Sequence, residues 1–144
     1  MIWKKLISFF SPGPVPCPDA KGKTILVIDD GQVERSFMTG ALQKAGYTVI
    51  ARPDGVSGME AALNHNPNLI ILDYLMPDMD GTEVCRKIKS NPQIKDIPII
   101  FLTGSTRPET VITCYDVGAE QYLSKPISAK ALLKQVQTTL EEPA

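Results

Sequence analysis

The sequence lacks the features that mark several common classes of protein. No apolar run approaches the ~20 residues that cross a bilayer as a helix, and the apolar stretch LISFF at 6–10 is too short for a secretory signal and lacks a cleavage site. A formal net charge of −1 gives no general attraction for nucleic acid or an anionic membrane. Three cysteines without a CxxC pair favour neither a disulfide framework nor a zinc site. These absences predict a protein of the reducing cytoplasm that does not bind nucleic acid.

A proline-rich stretch divides the chain. Residues 11–23 read SPGPVPCPDAKGK, in which every second residue from Pro12 to Pro18 is a proline. Such a segment forms neither helix nor sheet and favours a stiff, extended linker. We therefore expect an N-terminal arm and linker over residues 1–22, followed by one domain over residues 23–144.

The arm, MIWKKLISFF at residues 1–10, combines six large apolar residues with two lysines. As a helix it would be short, basic and amphipathic. Three interpretations remain open: packing on its own or a neighbouring domain, docking on a partner protein, or weak attachment to a membrane surface. We favour protein contact, because ten residues with two lysines give only marginal affinity for lipid.

The domain alternates between two kinds of pattern. Apolar, β-branched runs predict strands, and apolar residues at helical spacing predict helices between them. The predicted strands are 24–29, 47–51, 69–73, 98–103 and 120–124, and the predicted helices are 32–45, 55–64, 81–90, 107–117 and 128–140. Alternation of this kind predicts a parallel α/β sheet with helices on both faces.

Polar residues follow four of these strands. Asp29 and Asp30 end the first strand, Asp73 ends the third, Thr103 ends the fourth and Lys125 follows the fifth. Each of them alone is more simply a helix cap, a strand-end hydroxyl or a solvated charge. In parallel sheets, however, ligands bind beyond the carboxyl ends of the strands. Clustered carboxylates call for a cation such as Mg²⁺, and a hydroxyl with an ammonium suits a phosphoryl group, so the set predicts phosphoryl transfer.

Four stretches carry a resemblance to a known family. VIDD at 27–30, LIILDYLMPDMDG at 69–81, IIFLTG at 99–104 and YLSKP at 122–126 resemble the receiver domain of two-component response regulators. The resemblance covers about residues 23–141. It implies a flavodoxin-like (βα)5 three-layer sandwich, with a five-stranded parallel sheet of order 2-1-3-4-5.

The resemblance also implies the acceptor and the metal site. Asp73 would accept a phosphoryl group from the phosphohistidine of a sensor histidine kinase or a histidine phosphotransfer protein. Asp29, Asp30 and Asp73 would hold Mg²⁺, directly or through water, together with the main-chain carbonyl of Leu75.

Three further roles come from the same resemblance. Lys125 would pair with the phosphoryl oxygens, and its peptide bond to Pro126 is typically cis in the family. Thr103 would hydrogen-bond the phosphoryl group and move toward it. Tyr122 would turn inward as the switch residue when Thr103 moves.

Two positions that vary within the family suggest a long-lived phosphorylated state. Leu75 and Ser105 would flank the route of a hydrolytic water, and a leucine cannot orient water by hydrogen bonding. We therefore expect slower loss of phosphate than in receivers with an acid or amide at the position of Leu75.

A second motif overlaps the first. PDMDGT at 77–82 matches the nucleophile motif of haloacid-dehalogenase-type phosphatases, with Asp78 as the nucleophile. In that family the aspartate directly ends a buried strand, whereas Pro77 disfavours a strand that continues to Asp78. We expect Asp78 and Asp80 to be turn residues, and the small phosphatase is the alternative hypothesis.

We expect no output domain after residue 141. The chain then resembles stand-alone receivers of the chemotaxis type, which catalyse only their own phosphorylation and dephosphorylation and signal by protein contact. The expected surface for a downstream target or a homodimer is the face of helix 4, strand 5 and helix 5, which includes Tyr115, Tyr122 and residues 129–133.

Overall fold

The computed structural model describes residues 20–141, in which strands and helices alternate. The arm and the linker up to residue 19 lie outside the described residues. The elements are β1 (Thr24–Ile28), α1 (Gln32–Lys44), β2 (Thr48–Arg52), α2 (Gly55–His65), β3 (Leu69–Asp73), α3 (Gly81–Ser90), β4 (Ile99–Thr103), α4 (Pro108–Asp116), β5 (Gln121–Ser124) and α5 (Ala129–Glu141).

The five strands form one parallel sheet of order β2-β1-β3-β4-β5, which confirms the predicted fold. The three central strands are almost entirely buried, because helices cover both faces and β-branched residues fill both sides of the pleat. The register pairs Asp73 with Leu102 and Thr103 with Ser124. The carboxyl ends of β3, β4 and β5 therefore lie at one edge of the sheet.

Two apolar layers flank the sheet. Alternate residues of β1 serve different layers: Leu26 and Ile28 pack in the cluster with α2, α3 and α4, whereas Ile25 and Val27 pack in the cluster with α1 and α5. A strand segment that is buried on both faces needs apolar residues at every position, as β1 has from Ile25 to Ile28. The result is the expected three-layer sandwich.

Local signals fix several helix ends. The Asp54 carboxylate accepts a hydrogen bond from the Ser57 N–H at 2.8 Å and caps α2. The Ser128 hydroxyl oxygen accepts one from the Ala131 N–H at 3.1 Å before α5. Gly46 follows α1 with a φ of +107°, a conformation that favours glycine at a helix end.

The structure corrects some details of the sequence analysis. β1 ends at Ile28, so Asp29 lies beyond the strand, and β2 extends one residue further, to Arg52. In α1, Val33 and Phe37 share the helical spacing of the core residues, yet they remain 80% and 45% exposed.

Within residues 20–141, no helix has the length and apolar character to cross a membrane.

Candidate functional site

The polar residues singled out in the sequence meet at the carboxyl edge of the sheet. Asp29 and Asp30 begin the loop after β1, Asp73 is the last residue of β3, Thr103 is the last residue of β4, and Lys125 follows β5. The strand order makes β1, β3 and β4 neighbours, so that their ends are adjacent. The topology therefore brings together residues that are up to 96 positions apart in the chain.

Three carboxylates form the acidic part of the site. One oxygen from each of Asp29, Asp30 and Asp73 lies within 4.8 Å of the other two. Asp29 is fully buried and Asp73 is 4% exposed, while Asp30 faces solvent. Charges this close repel one another most strongly where water is excluded. The cluster therefore needs positive charge, from a side chain, a proton or a cation.

Lys125 supplies one positive charge from the loop after β5. Its ammonium nitrogen donates a hydrogen bond to Asp73 Oδ1 at 3.1 Å and lies 3.4 Å from Asp29 Oδ2 as an ion pair. Burial lowers the pKa of Lys125, but the hydrogen bond and charge of Asp73, with the charge of Asp29, bring it above the ordinary value. The lysine is therefore charged at neutral pH. Its peptide bond to Pro126 is cis, as the resemblance implies.

Asp73 titrates far from the ordinary range of an aspartate. Burial raises its pKa, the negative charge of Asp29 and a hydrogen bond with Asp30 raise it further, and Lys125 offsets only part of this, which leaves the pKa at about 7. In the absence of a cation, Asp73 is therefore partly protonated near neutral pH. A bound divalent cation would favour the carboxylate form.

The two carboxylate oxygens of Asp29 suit a hard cation. Asp29 Oδ1 accepts a hydrogen bond from the Gly31 N–H at 2.8 Å. Asp29 Oδ2 is buried and accepts no hydrogen bond, because Lys125 meets it as an ion pair without hydrogen-bond geometry. A buried carboxylate oxygen without a donor is costly. Mg²⁺ would be a suitable partner, since it binds a few carboxylates together with water and phosphate oxygens.

Leu75 lies in the β3–α3 loop, two residues after Asp73, and its side chain is 69% exposed. The role of its carbonyl as a metal ligand stays a prediction.

The hydroxyl of Thr103, which is 3% exposed, accepts a hydrogen bond from the Ser105 N–H at 3.0 Å. Tyr122 is half-buried, and its ring meets that of Tyr115 edge to face, with the centroids 6.1 Å apart. The switch roles of Thr103 and Tyr122 also stay predictions.

Two residues outside the predicted site support the acidic cluster. Arg35 of α1 donates a hydrogen bond at 2.8 Å to the main-chain oxygen of Asp29. This bond holds the β1–α1 loop against α1. The N–H of Gly81 donates to the Tyr74 oxygen at 3.0 Å. A Cβ at Gly81 would overlap the main-chain oxygen of Asp73, so α3 begins against the acidic site only because this residue has no side chain.

Asp78 has a different role from the one expected. Its two carboxylate oxygens accept hydrogen bonds from the Gly55 N–H at 3.1 Å and the Val56 N–H at 3.2 Å, in the first turn of α2. It is therefore a helix cap from a distant loop and not merely a turn residue. Asp80 precedes α3 and makes no side-chain cap bond. Since both oxygens of Asp78 are engaged, the geometry does not favour it as a phosphatase nucleophile.

Known proteins are similar to this chain in both sequence and fold. The DNA-binding dual master transcriptional regulator RpaA of Synechocystis is 34% identical over 116 residues, which are 81% of this chain and 48% of that protein. The Vibrio cholerae chemotaxis protein CheY4 is 34% identical with a TM-score of 0.78, over 81% of this chain and 97% of that one. A CheY-like receiver domain protein of Methanospirillum hungatei is 28% identical with a TM-score of 0.77, over 83% and 94%.

The comparisons also bear on size and family. The chain spans about half the length of most curated regulators that it matches, whereas it spans nearly the whole of the receiver structures. The family model for the response regulator receiver domain matches residues 25–137, which include Asp29, Asp73, Thr103 and Lys125. The chain therefore belongs to the response regulator receiver domain family, the signalling domain of two-component systems.

Proposed function

We propose that this protein is a phosphorylation-switched signalling module in which Asp73 accepts a phosphoryl group from a phosphohistidine. The observation that carries the proposal is the position of Asp73 at the end of the central strand β3, with Lys125 at 3.1 Å and two further carboxylates within 4.8 Å. A rigid strand end holds the nucleophile, Lys125 can stabilise the transferring phosphoryl group, and the two carboxylates can hold a cation that does the same.

The proposed reaction uses this chain's residues, a phosphohistidine donor and Mg²⁺ as the cofactor. An oxygen of ionised Asp73 attacks phosphorus, the new O–P bond forms as the N–P bond breaks, and the leaving imidazole keeps the electron pair and takes up a proton. Lys125 changes partner from the Asp73 carboxylate to a phosphoryl oxygen, and Thr103 donates its hydroxyl to another. Bound Mg²⁺, held by Asp29, Asp30, Asp73 and the carbonyl of Leu75, would supply further neutralisation of the phosphoryl oxygens.

The proposed partners are a sensor histidine kinase or a histidine phosphotransfer protein upstream and a protein target or a second copy downstream. On the face of α4, β5 and α5, Ile112 is 58% exposed and Tyr115 is 43% exposed, and Tyr115 contacts the proposed switch residue Tyr122. This contact supports the proposal that a conformational change at Thr103 and Tyr122 is transmitted to the surface. The near-neutral chain charge supports output by protein contact, not by nucleic-acid binding.

We further propose that the protein acts in the cytoplasm. The thiols of Cys85 and Cys114 are free and buried, which supports a reducing compartment. We also propose that one receiver domain spans residues 23–144 and is preceded by an arm and linker over residues 1–22.

Intact-mass measurement after incubation with acetyl phosphate and Mg²⁺ tests the proposal. We expect a single phosphate adduct on the wild type, no adduct on Asp73→Asn, and much less adduct when EDTA replaces Mg²⁺. Asp78→Asn is the matched control and should keep the adduct, because its carboxylate caps α2.

Two outcomes would contradict the proposal. One is a wild-type protein that gains no phosphate although it is folded. The other is an adduct or a phosphomonoesterase activity that survives Asp73→Asn and disappears in Asp78→Asn, which would favour the phosphatase alternative.

A further inference from the structure

An open apolar groove lies between α1 and the loop that joins β5 to α5. It has a volume of about 380 Å³, which is in the range of binding pockets. Its apolar lining residues are Val33, Phe37, Met38, Leu102, Pro126 and Ile127. Lys125 forms part of the same wall, so the groove borders the acidic site.

Two exposed apolar side chains of α1 line this groove. Val33 and Phe37 are one turn apart on α1 and are 80% and 45% exposed, although their spacing is that of residues that face a core. Met38, the neighbour of Phe37 in the chain, is buried against the sheet. The apolar face of α1 therefore continues past the folded core into the groove, where another segment could cover it.

The described part of the chain begins on the same side of the sheet as this groove. Ala20 is fully buried in the cluster that contains Met38 and Leu102 of the groove wall. Residues 1–19 consequently join the domain in the layer of α1 and α5.

The linker is long enough to reach the groove. Residues 11–19, with four prolines, span about 28 Å at the ~3.1 Å per residue of an extended proline-rich chain. Ala20 lies before β1, and the groove lies near the opposite edge of the sheet, which is about 17 Å away for a five-residue strand. A tether of this length gives an effective concentration of order 1 mM, so that the segment is docked most of the time if its dissociation constant is below about 1 mM.

The arm has the chemistry that the groove would bind. Its apolar residues are Ile2, Trp3, Leu6, Ile7, Phe9 and Phe10. Its two basic residues, Lys4 and Lys5, complement the exposed carboxylate of Glu34 in the groove wall. A segment with large apolar residues and two positive charges therefore matches an apolar groove with an acidic rim.

We propose that residues 1–10 dock in the groove between α1 and the β5–α5 loop of the same chain. The docked arm covers Val33 and Phe37 and lies beside Lys125. Docking itself does not depend on phosphorylation.

Trp3 provides a direct test, because it is the single tryptophan of the chain. We expect its fluorescence in the native full-length protein to be shifted to shorter wavelength than in urea, with severalfold weaker quenching by acrylamide. Val33→Lys and Phe37→Ser should move the emission to longer wavelength and raise the quenching toward the unfolded value. Val56→Lys is the matched control: this exposed valine, on α2, lies in the opposite layer, so the signal should not change.

Four results would overturn the proposal. Trp3 could be as accessible in the native chain as in urea, or shielded to the same degree in Val33→Lys as in the wild type. Shielding that disappears on dilution would assign the arm to a second copy. Shielding that arises only with vesicles of phosphatidylglycerol and phosphatidylcholine would assign it to a membrane surface. Because the readout is Trp3, it remains informative even if the phosphate adduct fails to form.

Discussion

The ammonium nitrogen of Lys125 lies 3.1 Å from Oδ1 of Asp73, across 52 residues of sequence. The hydrogen bond joins the loop after β5 to the end of β3. It also places the positive charge within 3.4 Å of Asp29 Oδ2, so that one lysine partly neutralises two buried carboxylates. In the proposed reaction the Lys125 ammonium group exchanges the Asp73 carboxylate for a phosphoryl oxygen as its partner. Resting site and reacting site thus depend on one side chain.

Lys125→Met should slow phosphorylation by acetyl phosphate roughly 10- to 100-fold, the effect of losing one hydrogen bond to a charged group in the transition state. The adduct formed per minute, measured by intact mass at saturating Mg²⁺, gives the rate. Lys130→Met removes an exposed lysine from α5 and is the control that should react at the wild-type rate. An unchanged rate in Lys125→Met would remove this lysine from the mechanism.

Asp73→Asn should stabilise the protein when no cation is bound. The pKa of Asp73 is raised from 3.8 to about 7 in the folded state, so between these values the folded state binds more protons than the unfolded state. The contribution of this group to the free energy of unfolding therefore falls as pH rises through that window, by on the order of 1–3 kcal/mol. Asparagine avoids this loss.

Urea unfolding in EDTA at pH 5 and pH 8 measures this effect. We expect Asp73→Asn to exceed the wild type in stability at pH 8, with a smaller difference at pH 5. Asp96→Asn, at an exposed position, should follow the wild type at both pH values. A variant less stable than the wild type at pH 8 would mean that the pairing with Lys125 outweighs the cost of burying the charge.

Gly81→Ala should destabilise the protein and disturb the acidic site. Its new Cβ would overlap the main-chain oxygen of Asp73 and lie 3.0 Å from the Phe101 ring, and neither neighbour can move freely. We expect a loss of about 2–3 kcal/mol in the free energy of unfolding, which is typical of overpacking. Gly40→Ala in α1 is the control, because a Cβ there meets nothing within 4 Å and should stabilise the helix by up to about 1 kcal/mol. Equal effects of the two substitutions would contradict the close approach at Gly81.

The grouping of the site residues could be predicted because parallel topology converts strand ends into one edge. Once β1, β3, β4 and β5 were identified from their apolar runs, Asp29, Asp73, Thr103 and Lys125 had to lie near the same edge. The strands needed only approximate bounds for this result. An error of one residue at the end of β1 left Asp29 in the same loop.

Contacts between distant loops could not be predicted in the same way. Asp78 sits in a segment whose local sequence indicates a turn, yet its partners are N–H groups 22 and 23 residues earlier. Helical periodicity likewise identified the apolar face of α1 without showing which part of it the folded core covers. Val33 and Phe37 remain exposed because no described element packs over the first turns of α1.

Leu75→Asn should shorten the lifetime of the phosphorylated protein. Leu75 is 69% exposed and cannot hold a water by hydrogen bonding. The hydroxyl of Ser105, the second residue expected to flank the water, is engaged with the Thr110 hydroxyl at 3.2 Å and the Arg107 N–H at 3.2 Å. Neither side chain therefore orients a hydrolytic water in the wild type.

An asparagine at position 75 would contribute one hydrogen bond to that water, worth about 0.5–1.5 kcal/mol, and so should speed hydrolysis roughly 2- to 12-fold. Loss of the adduct is followed by intact mass after the acetyl phosphate has been removed. Val56→Asn introduces the same side chain at a comparably exposed position in the first turn of α2 and should not change the rate. If Leu75→Asn loses phosphate no faster than the wild type, a side chain at this position does not control the lifetime, and the rate is set by the buried surroundings of Asp73.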